Sequence, residues 1–243
     1  MELKGKTALV TGGAVRVGRA ISLALAEQGM RLVVHYNASS DAADELVAAI
    51  RADGGEAVTL GADLADAVAV ERLAGDAVAA FGGLDVLVNS AATFPSQSLD
   101  DTDAALLEHT LAVNLKAPFL LTRHLAPALR ASRGAVVNMA DLAGLQTWDG
   151  YAAHGVAKAG VVHLTQVAAR ALAPEVRVNA IAPGTVLPPD SMDDDEVRRL
   201  AERAPLRRNG SPDDVVQAML YLLRADFVTG QVLVVDGGRI LRN

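Results

Sequence analysis

The 243-residue sequence predicts a single α/β domain over residues 1–243, with a doubly wound, seven-stranded parallel sheet flanked by helices. Three observations carry that expectation. Short runs of nearly continuous apolar residues alternate with longer stretches of helical spacing, the mark of parallel strands covered on both faces. Gly or Pro punctuates the joins, as at Gly29, Gly54-Gly55, Gly82-Gly83, Gly134 and Pro183-Gly184. Hydrophobic residues make up 51% of the chain against 21% charged, enough to bury a large core and to argue against disorder. Aromatics are only 3%, so Ala, Val and Leu must fill that core, which suits helices packed closely on a sheet.

Strands are expected at Thr7–Val10, Arg31–Val34, Ala57–Gly61, Val86–Val88, Ala135–Met139, Arg177–Ala180 and Val232–Val235. Between them fit helices at Gly18–Gln28, Asp41–Ala52, Ala67–Phe81, Asp103–Leu129, His154–Leu172 and Asp213–Leu223. In the first, Ala20, Leu23, Ala24 and Glu27 keep helical spacing. The fourth contains Pro118 and Pro127 and is expected to kink or break there. Strand–helix–strand repetition implies right-handed crossovers in one sheet. No sequence repeat, low-complexity tract or linker interrupts it. One irregular segment, Pro188 to Glu196, holds Pro188-Pro189, Asp190, Asp193, Asp194 and Asp195. It reads either as a solvated loop with an acidic helix start or as a flap over a substrate, since it comes directly after a strand end.

Charge and composition exclude several roles. The net charge of −7 opposes a nucleic-acid surface, which needs clustered Lys and Arg. There is no cysteine, hence no disulfide framework, thiol nucleophile or zinc–thiolate site, and no metal is expected. Met1 to Lys6 lead straight into a strand rather than a signal peptide's apolar run. No apolar stretch is long and uncharged enough to span a bilayer. A cytoplasmic protein acting on a small molecule, with no membrane partner, is the expectation.

The chemistry begins at the first strand, which runs into Thr11-Gly12-Gly13-Ala14-Val15-Arg16-Val17-Gly18 and then a helix. A Gly-rich turn from strand to helix gathers backbone N–H groups and the positive helix end at one point, where a pyrophosphate binds. Gly12 permits the tight turn and Gly18 lets the helix pack on the strand. This order of strand, turn and helix makes the domain a Rossmann fold. The motif's usual middle glycine is Arg16, whose guanidinium suits a phosphate or the edge of a planar heterocycle. The second strand ends in His35-Tyr36-Asn37-Ala38-Ser39-Ser40, with no carboxylate before Asp41. NAD enzymes usually place Asp or Glu there. A 2′-phosphate would meet little repulsion and would find hydrogen bonds from Ser39, Ser40 and backbone N–H groups, with Asn37 beside them. The expected cofactor is NADPH.

From end to end the chain resembles the short-chain dehydrogenase/reductase family, on Thr11–Gly18, Asp63-Leu64, Asn89-Ser90-Ala91-Ala92, Asn114, Lys158, Pro183-Gly184 and the tail Asp236-Gly237-Gly238. The resemblance implies that Asp63 contacts adenine, that Asn89 and Ala91 line the cofactor cleft, and that Asn114 sits in a proton-relay helix. It also implies that Lys158 binds the nicotinamide ribose and lowers the pKa of a catalytic Tyr. A nearby ammonium does favour a phenolate. The cofactor site is expected to include Val17, Leu64, Pro183, Gly184 and Val186 as well. Family members usually form homotetramers through the helices matching Asp103–Leu129 and His154–Leu172. Ala157, Ala159, Ala168 and Ala169 would allow close packing there, so a homotetramer is expected.

A narrower resemblance points to pteridine reductases, including dihydromonapterin reductases, in Arg16, Phe94 and Asp141. Phe94 would sandwich a flat pterin against the nicotinamide. Arg16 would bond its edge, and Asp141 would hold its amino group or relay a proton. Taken alone, Phe94 also suits a core position and Asp141 a turn cap.

One departure stands out. Four positions before Lys158, where the family carries its catalytic Tyr, this chain has His154. Tyr151 lies seven positions before Lys158, a spacing that shares a helix face and resembles that of enoyl-acyl-carrier-protein reductases. Either His154 or Tyr151 would then donate the proton, or the site binds cofactor without turnover. Three functions remain open: a pteridine reductase-like enzyme, an enoyl- or 3-oxoacyl-acyl-carrier-protein reductase using Tyr151 and Lys158, and an idle NADPH-binding sensor or scaffold.

Overall fold

The computed structural model describes residues 1–188 and 192–241. Seven parallel strands form one sheet in the order β3-β2-β1-β4-β5-β6-β7. Their ranges are β1 Thr7–Val10, β2 Arg31–Tyr36, β3 Ala57–Gly61, β4 Val86–Asn89, β5 Ala135–Met139, β6 Arg177–Pro183 and β7 Val232–Val235. Each expected strand is present; β2, β4 and β6 run two, one and three residues further. Along β1, Ala8 and Val10 join one core cluster while Leu9 joins the other, so the strand is buried on both faces. That double burial is why the sequence shows apolar runs rather than alternation.

Helices α1 Arg16–Glu27, α2 Ser40–Ala52 and α8 Pro212–Arg224 cover one face. On the other lie α3 Ala67–Phe81, α5 Ala117–Ser132 and α6 Ala152–Leu172. Local chemistry sets the ends. Asp66 accepts a hydrogen bond from Val68 N–H to cap α3, and Gly82, at φ 72°, closes it. Arg177 on β6 donates to the Leu222 and Leu223 carbonyls in the last turn of α8, at 2.7 and 2.8 Å, tying that helix to the sheet.

The expected helix Asp103–Leu129 is in fact three pieces. It consists of α4 Ala104–Leu111, a π-helical segment Ala112–Lys116 and then α5. The break falls at the first proline and not at the second. Pro118, which has no N–H to donate, directly follows the π segment in the first turn of α5, whereas Pro127 is carried inside the helix. The interruption is the π turn that carries Asn114. Two further differences matter for function. Helix α6 starts at Ala152, so Tyr151 is its N-cap with non-helical dihedrals rather than a member of the helix. The acidic segment after β6 opens a full helix, α7 Asp194–Arg203, begun by a reciprocal cap between Asp193 and Glu196. Pro189 and Asp190 of the expected flap lie outside the described residues.

Candidate active site

The carboxyl ends of the strands open into a cleft of about 1360 Å³, larger than a typical small-ligand pocket and roomy enough for a dinucleotide with a second molecule. At its floor the turn after β1 is packed as tightly as glycine allows. Gly12 has φ 60°, and a Cβ there would come within 2.9 Å of the Ala91 backbone. A Cβ at Gly18 would collide with the Gly12 carbonyl oxygen. Thr11 Oγ accepts from the Ser90 and Ala91 N–H groups at 2.9 and 3.1 Å, locking the ends of β1 and β4 together.

The start of α1 is left open. Its N-cap, Val15, supplies no side-chain bond, and no acidic residue stands in the first turn. The free N–H groups and the positive helix end therefore face the cleft with nothing to neutralise them. This arrangement fits a dinucleotide diphosphate. Gly18→Ala is expected to abolish NADPH binding in a calorimetric titration and to lower stability by about 1–3 kcal/mol, because the forced shift opens the turn.

Gly12, Arg16, Val17, Gly18, Asn37, Ser39, Asp63, Leu64, Ala91, Pro183, Gly184 and Val186 all line the cleft. Ser40 and Asn89 do not, contrary to expectation. Ser40 begins α2 and its hydroxyl turns to Asp41, whereas the Asn89 amide donates to Asn138 Oδ1 at 2.8 Å and braces β4 against β5. Ser39 precedes α2 without a side-chain cap bond, leaving its hydroxyl and that helix start available beside Asn37. Arg16, at φ 51°, reaches across to donate to the Leu187 carbonyl at 2.7 Å. It thus ties the glycine turn to the loop after β6. A left-handed φ on a non-glycine residue costs about 1–2 kcal/mol and persists where its surroundings hold it.

The opposite half of the cleft is built on the π turn. Asn114 is buried there and grips Thr93 both ways: Oδ1 accepts from Thr93 N–H and Nδ2 donates to Thr93 O, each at 2.8 Å. The side chain lies behind the cleft wall rather than in it. His154 Nδ1 lies 3.1 Å from the same Thr93 carbonyl and 3.3 Å from Asn114 Nδ2, so it donates to the first when it carries the proton and accepts from the second when it does not. With Nδ1 so used, His154 Nε2 points the other way, buried and without a hydrogen-bond partner among the described residues, 3.7 Å from Asp141 Oδ2. Asp141 does cap the turn Leu142–Gly144 through Oδ1, which accepts from Ala143 N–H at 2.8 Å. Its second oxygen is the one facing His154.

Lys158 is 4% exposed and donates to the Met139 carbonyl at 2.7 Å. Burial lowers its pKa from 10.5 to about 8, and the opposing pull of Asp141 is the smaller influence. Phe94, 49% exposed, meets His154 edge-on at 4.6 Å and stacks on Tyr151 at 4.5 Å. Tyr151 therefore lines the cleft from the N-cap of α6, with its ring against Phe94; the seven-residue helix-face spacing does not describe it.

Two site features escaped the sequence. His35 is fully enclosed: Nδ1 accepts from Gly12 N–H at 3.1 Å and Nε2 donates to Ala62 O at 3.0 Å, fixing the glycine turn to β2 and β3. Burial lowers its pKa, which preserves the neutral ring that Gly12 needs as acceptor. The signal was a lone polar residue inside the apolar run of β2. Trp148 and Arg239 also face the cleft, the guanidinium 5.0 Å over the indole ring. Nothing in the spacing connects residues so far apart in the chain.

The chain is similar to known proteins along its whole length. A family model described as enoyl-(acyl carrier protein) reductase matches residues 13–239. An uncharacterized oxidoreductase of Mycobacterium tuberculosis (strain CDC 1551 / Oshkosh) is 39% identical over 250 aligned residues, 99% of this chain and 94% of that protein. The 3-oxoacyl-acyl-carrier-protein reductase FabG of Staphylococcus epidermidis is 35% identical over 239, covering 96% and 98%. Among solved structures, FolM alternative dihydrofolate reductase 1 from Brucella canis, complexed with NADP, superposes with a TM-score of 0.94 at 32% identity, covering 100% of this chain and 96% of that one.

Proposed function

The chain belongs to the short-chain dehydrogenase/reductase family as an NADPH-dependent reductase, and on that footing we propose that it reduces a dihydropteridine. One observation carries the substrate reading: an exposed aromatic plate, Phe94, stands over a buried imidazole whose Nε2 has no partner and faces Asp141. A flat heterocycle stacks on such a plate, and its ring nitrogen then meets a proton-bearing group. The Ser and Tyr that serve ketone reduction in this family are Asp141 and His154 here. The FolM relative is named for dihydrofolate, whose ring is a dihydropterin, which supports the same class.

When bound, NADPH supplies a hydride to the carbon of the substrate's ring C=N bond. The chain's own residues handle the proton. Charged His154 donates Nδ1–H to Thr93 O and turns Nε2–H toward Asp141 and the cleft, from where Nε2 gives its proton to the ring nitrogen of that bond. The neutral imidazole left behind keeps the Thr93 bond. Asn114 acts by positioning, since its two bonds hold Thr93 and so fix the ring. Asp141 Oδ2 faces the donating Nε2 from 3.7 Å. Arg16 holds the loop after β6 beside the substrate, and Lys158 sets a positive charge by the nicotinamide ribose. Asp63, Leu64, Ser39 and Asn37 take the adenosine end. Ser40 and Asn89 act only as supports.

Exposed Phe119 on α5, with Val156 and Val167 on α6, supports assembly as a homotetramer through those helices. No helix among the described residues is long and apolar enough to cross a membrane, which accords with a cytoplasmic setting.

A second reading has support of its own. The matching family model's description and the FabG relatives favour an acyl-carrier-protein reductase using Tyr151 and Lys158. NADPH oxidation with dihydrobiopterin and with crotonyl or acetoacetyl thioesters separates the two. Turnover of the pteridine alone is expected. Turnover of a thioester alone rejects the pteridine reading, and tight NADPH binding with no turnover of either assigns a sensor or scaffold.

A further inference from the structure

The dihydropteridine reading uses the cleft near Phe94 and leaves three arginines on its rim unexplained. Arg199 and Arg203 stand one turn apart on α7, so they share a helix face, and both line the cleft. Arg239 lines it too, held in place by its bond to Thr185 Oγ at 3.0 Å and by the Trp148 ring. Burial first, and then the nearby charge of Arg203, holds the Arg239 pKa below the usual guanidinium range, with Asp141 and Asp236 partly offsetting this. Among the described residues none of the three arginines forms an ion pair. Of the carboxylates lining the cleft near them, Glu196 is engaged in capping α7 and Asp141 in capping the turn after β5. In a chain of net charge −7, three cations turned into one cleft without an ion-pair partner run against the overall balance.

The aromatic side chains give this cluster a direction. Phe94 stacks on Tyr151, Tyr151 meets Trp148 at 5.8 Å, and Trp148 lies under Arg239. A substrate whose ring rests on Phe94 would run its tail along Tyr151 and Trp148 toward the arginines. The cofactor's diphosphate has its own place at the open start of α1. We propose that Arg199, Arg203 and Arg239 form a subsite for an anionic group, a carboxylate or a phosphate, on the substrate's tail; the subsite rests on the dihydropteridine reading of the same cleft.

Steady-state KM values test this with three substrates. Dihydrofolate carries tail carboxylates, dihydroneopterin phosphate carries a phosphate, and dihydrobiopterin carries no charge. In the wild type, KM for one charged substrate is expected at least about tenfold below that for dihydrobiopterin, and whichever is favoured identifies the anion. Arg203→Gln and Arg199→Gln are each expected to raise that KM about tenfold, with Arg203→Lys retaining most of the advantage. KM for dihydrobiopterin and for NADPH should stay unchanged, which also shows that the variants fold. Added salt should erode the advantage. Equal KM values across the three substrates, or an advantage that survives Arg203→Gln, overturn the subsite and leave the pteridine reading standing. A raised KM for NADPH assigns the arginines to the cofactor and overturns it as well. Turnover of none of the three removes the substrate reading itself and the subsite with it.

Discussion

Replacing His154 with Phe is expected to lower kcat for a dihydropteridine by about 10²- to 10⁴-fold, the range for removing a positioned acid, while NADPH affinity stays the same. The geometry makes this a clean substitution. His154 is 2% exposed and contacts Phe94 edge-on, so an aromatic ring of similar size can occupy its space. Thr93 keeps both bonds to Asn114 when the imidazole is gone, so the wall of the site stays in place. What disappears is Nε2, the buried group opposite Asp141. Tyr151→Phe removes only a hydroxyl from a ring already stacked on Phe94, and the rate is expected to hold. The opposite pair of results, rate lost with Tyr151→Phe and kept with His154→Phe, would route the proton through the phenol and favour the thioester reading.

Lys158→Met has two expected effects of opposite sign. Activity should fall by about 10²- to 10³-fold in kcat/KM, because a fixed positive charge beside the reacting ring is lost. Stability should rise. A folded-state pKa of about 8 against 10.5 outside the fold means that the ammonium is disfavoured by its burial. That difference corresponds to about 3 kcal/mol of penalty at neutral pH. Met of similar length removes the charge but leaves the Met139 carbonyl unpaired, so a net gain of about 1–2 kcal/mol is expected in denaturant unfolding at pH 7.

The pH dependence has a definite sign. Between pH 8 and 10.5 the unfolded chain binds the proton that the folded one has released, so wild-type stability rises across that window through Lys158. Below it the penalty is fully present, and the gain from Lys158→Met should shrink as pH climbs through the same window. Activity runs the other way: wild-type kcat/KM should fall above about pH 8 as Lys158 loses its charge, and that limb should be missing in Lys158→Met.

The parallel sheet was readable because its strands are buried on both faces and therefore written in Val, Leu, Ile and Ala. Their ends were less so: β2 pairs on past the polar His35 to Tyr36, and β6 pairs on to Pro183. The dinucleotide turn was legible because glycine is demanded there by contact, as the Gly12–Ala91 approach shows. The π turn was not, because the contact it serves, Asn114 gripping a backbone 21 residues away, leaves no mark in the local sequence. Of the two prolines in the same stretch, Pro118 stands at the interruption and Pro127 does not. Helix α7 has only a narrow apolar stripe, Val197, Leu200 and Ala201, among charged residues and was visible only as an acidic start.

The proton relay was half legible. His154 stood out against a family pattern, yet its orphaned Nε2 and the bond to Thr93 belong to packing between distant segments. The seven-residue spacing gives Tyr151 a helical direction, while the chain turns there before the helix begins. Arg239 reaches the cleft only because the tail after β7 folds back through the Asp236 turn, in which Gly238 and Ile240 N–H groups donate to that carboxylate at 2.7 and 2.6 Å.

The most direct test tracks the transferred atom. The purified protein is given NADPH deuterated at its transferable position together with dihydrobiopterin, and the product is read by NMR. Deuterium on the carbon of the former C=N bond is the predicted result. A product without label, or label that moves only when a thioester replaces the pteridine, would contradict the claim that this cleft is built to reduce a dihydropteridine.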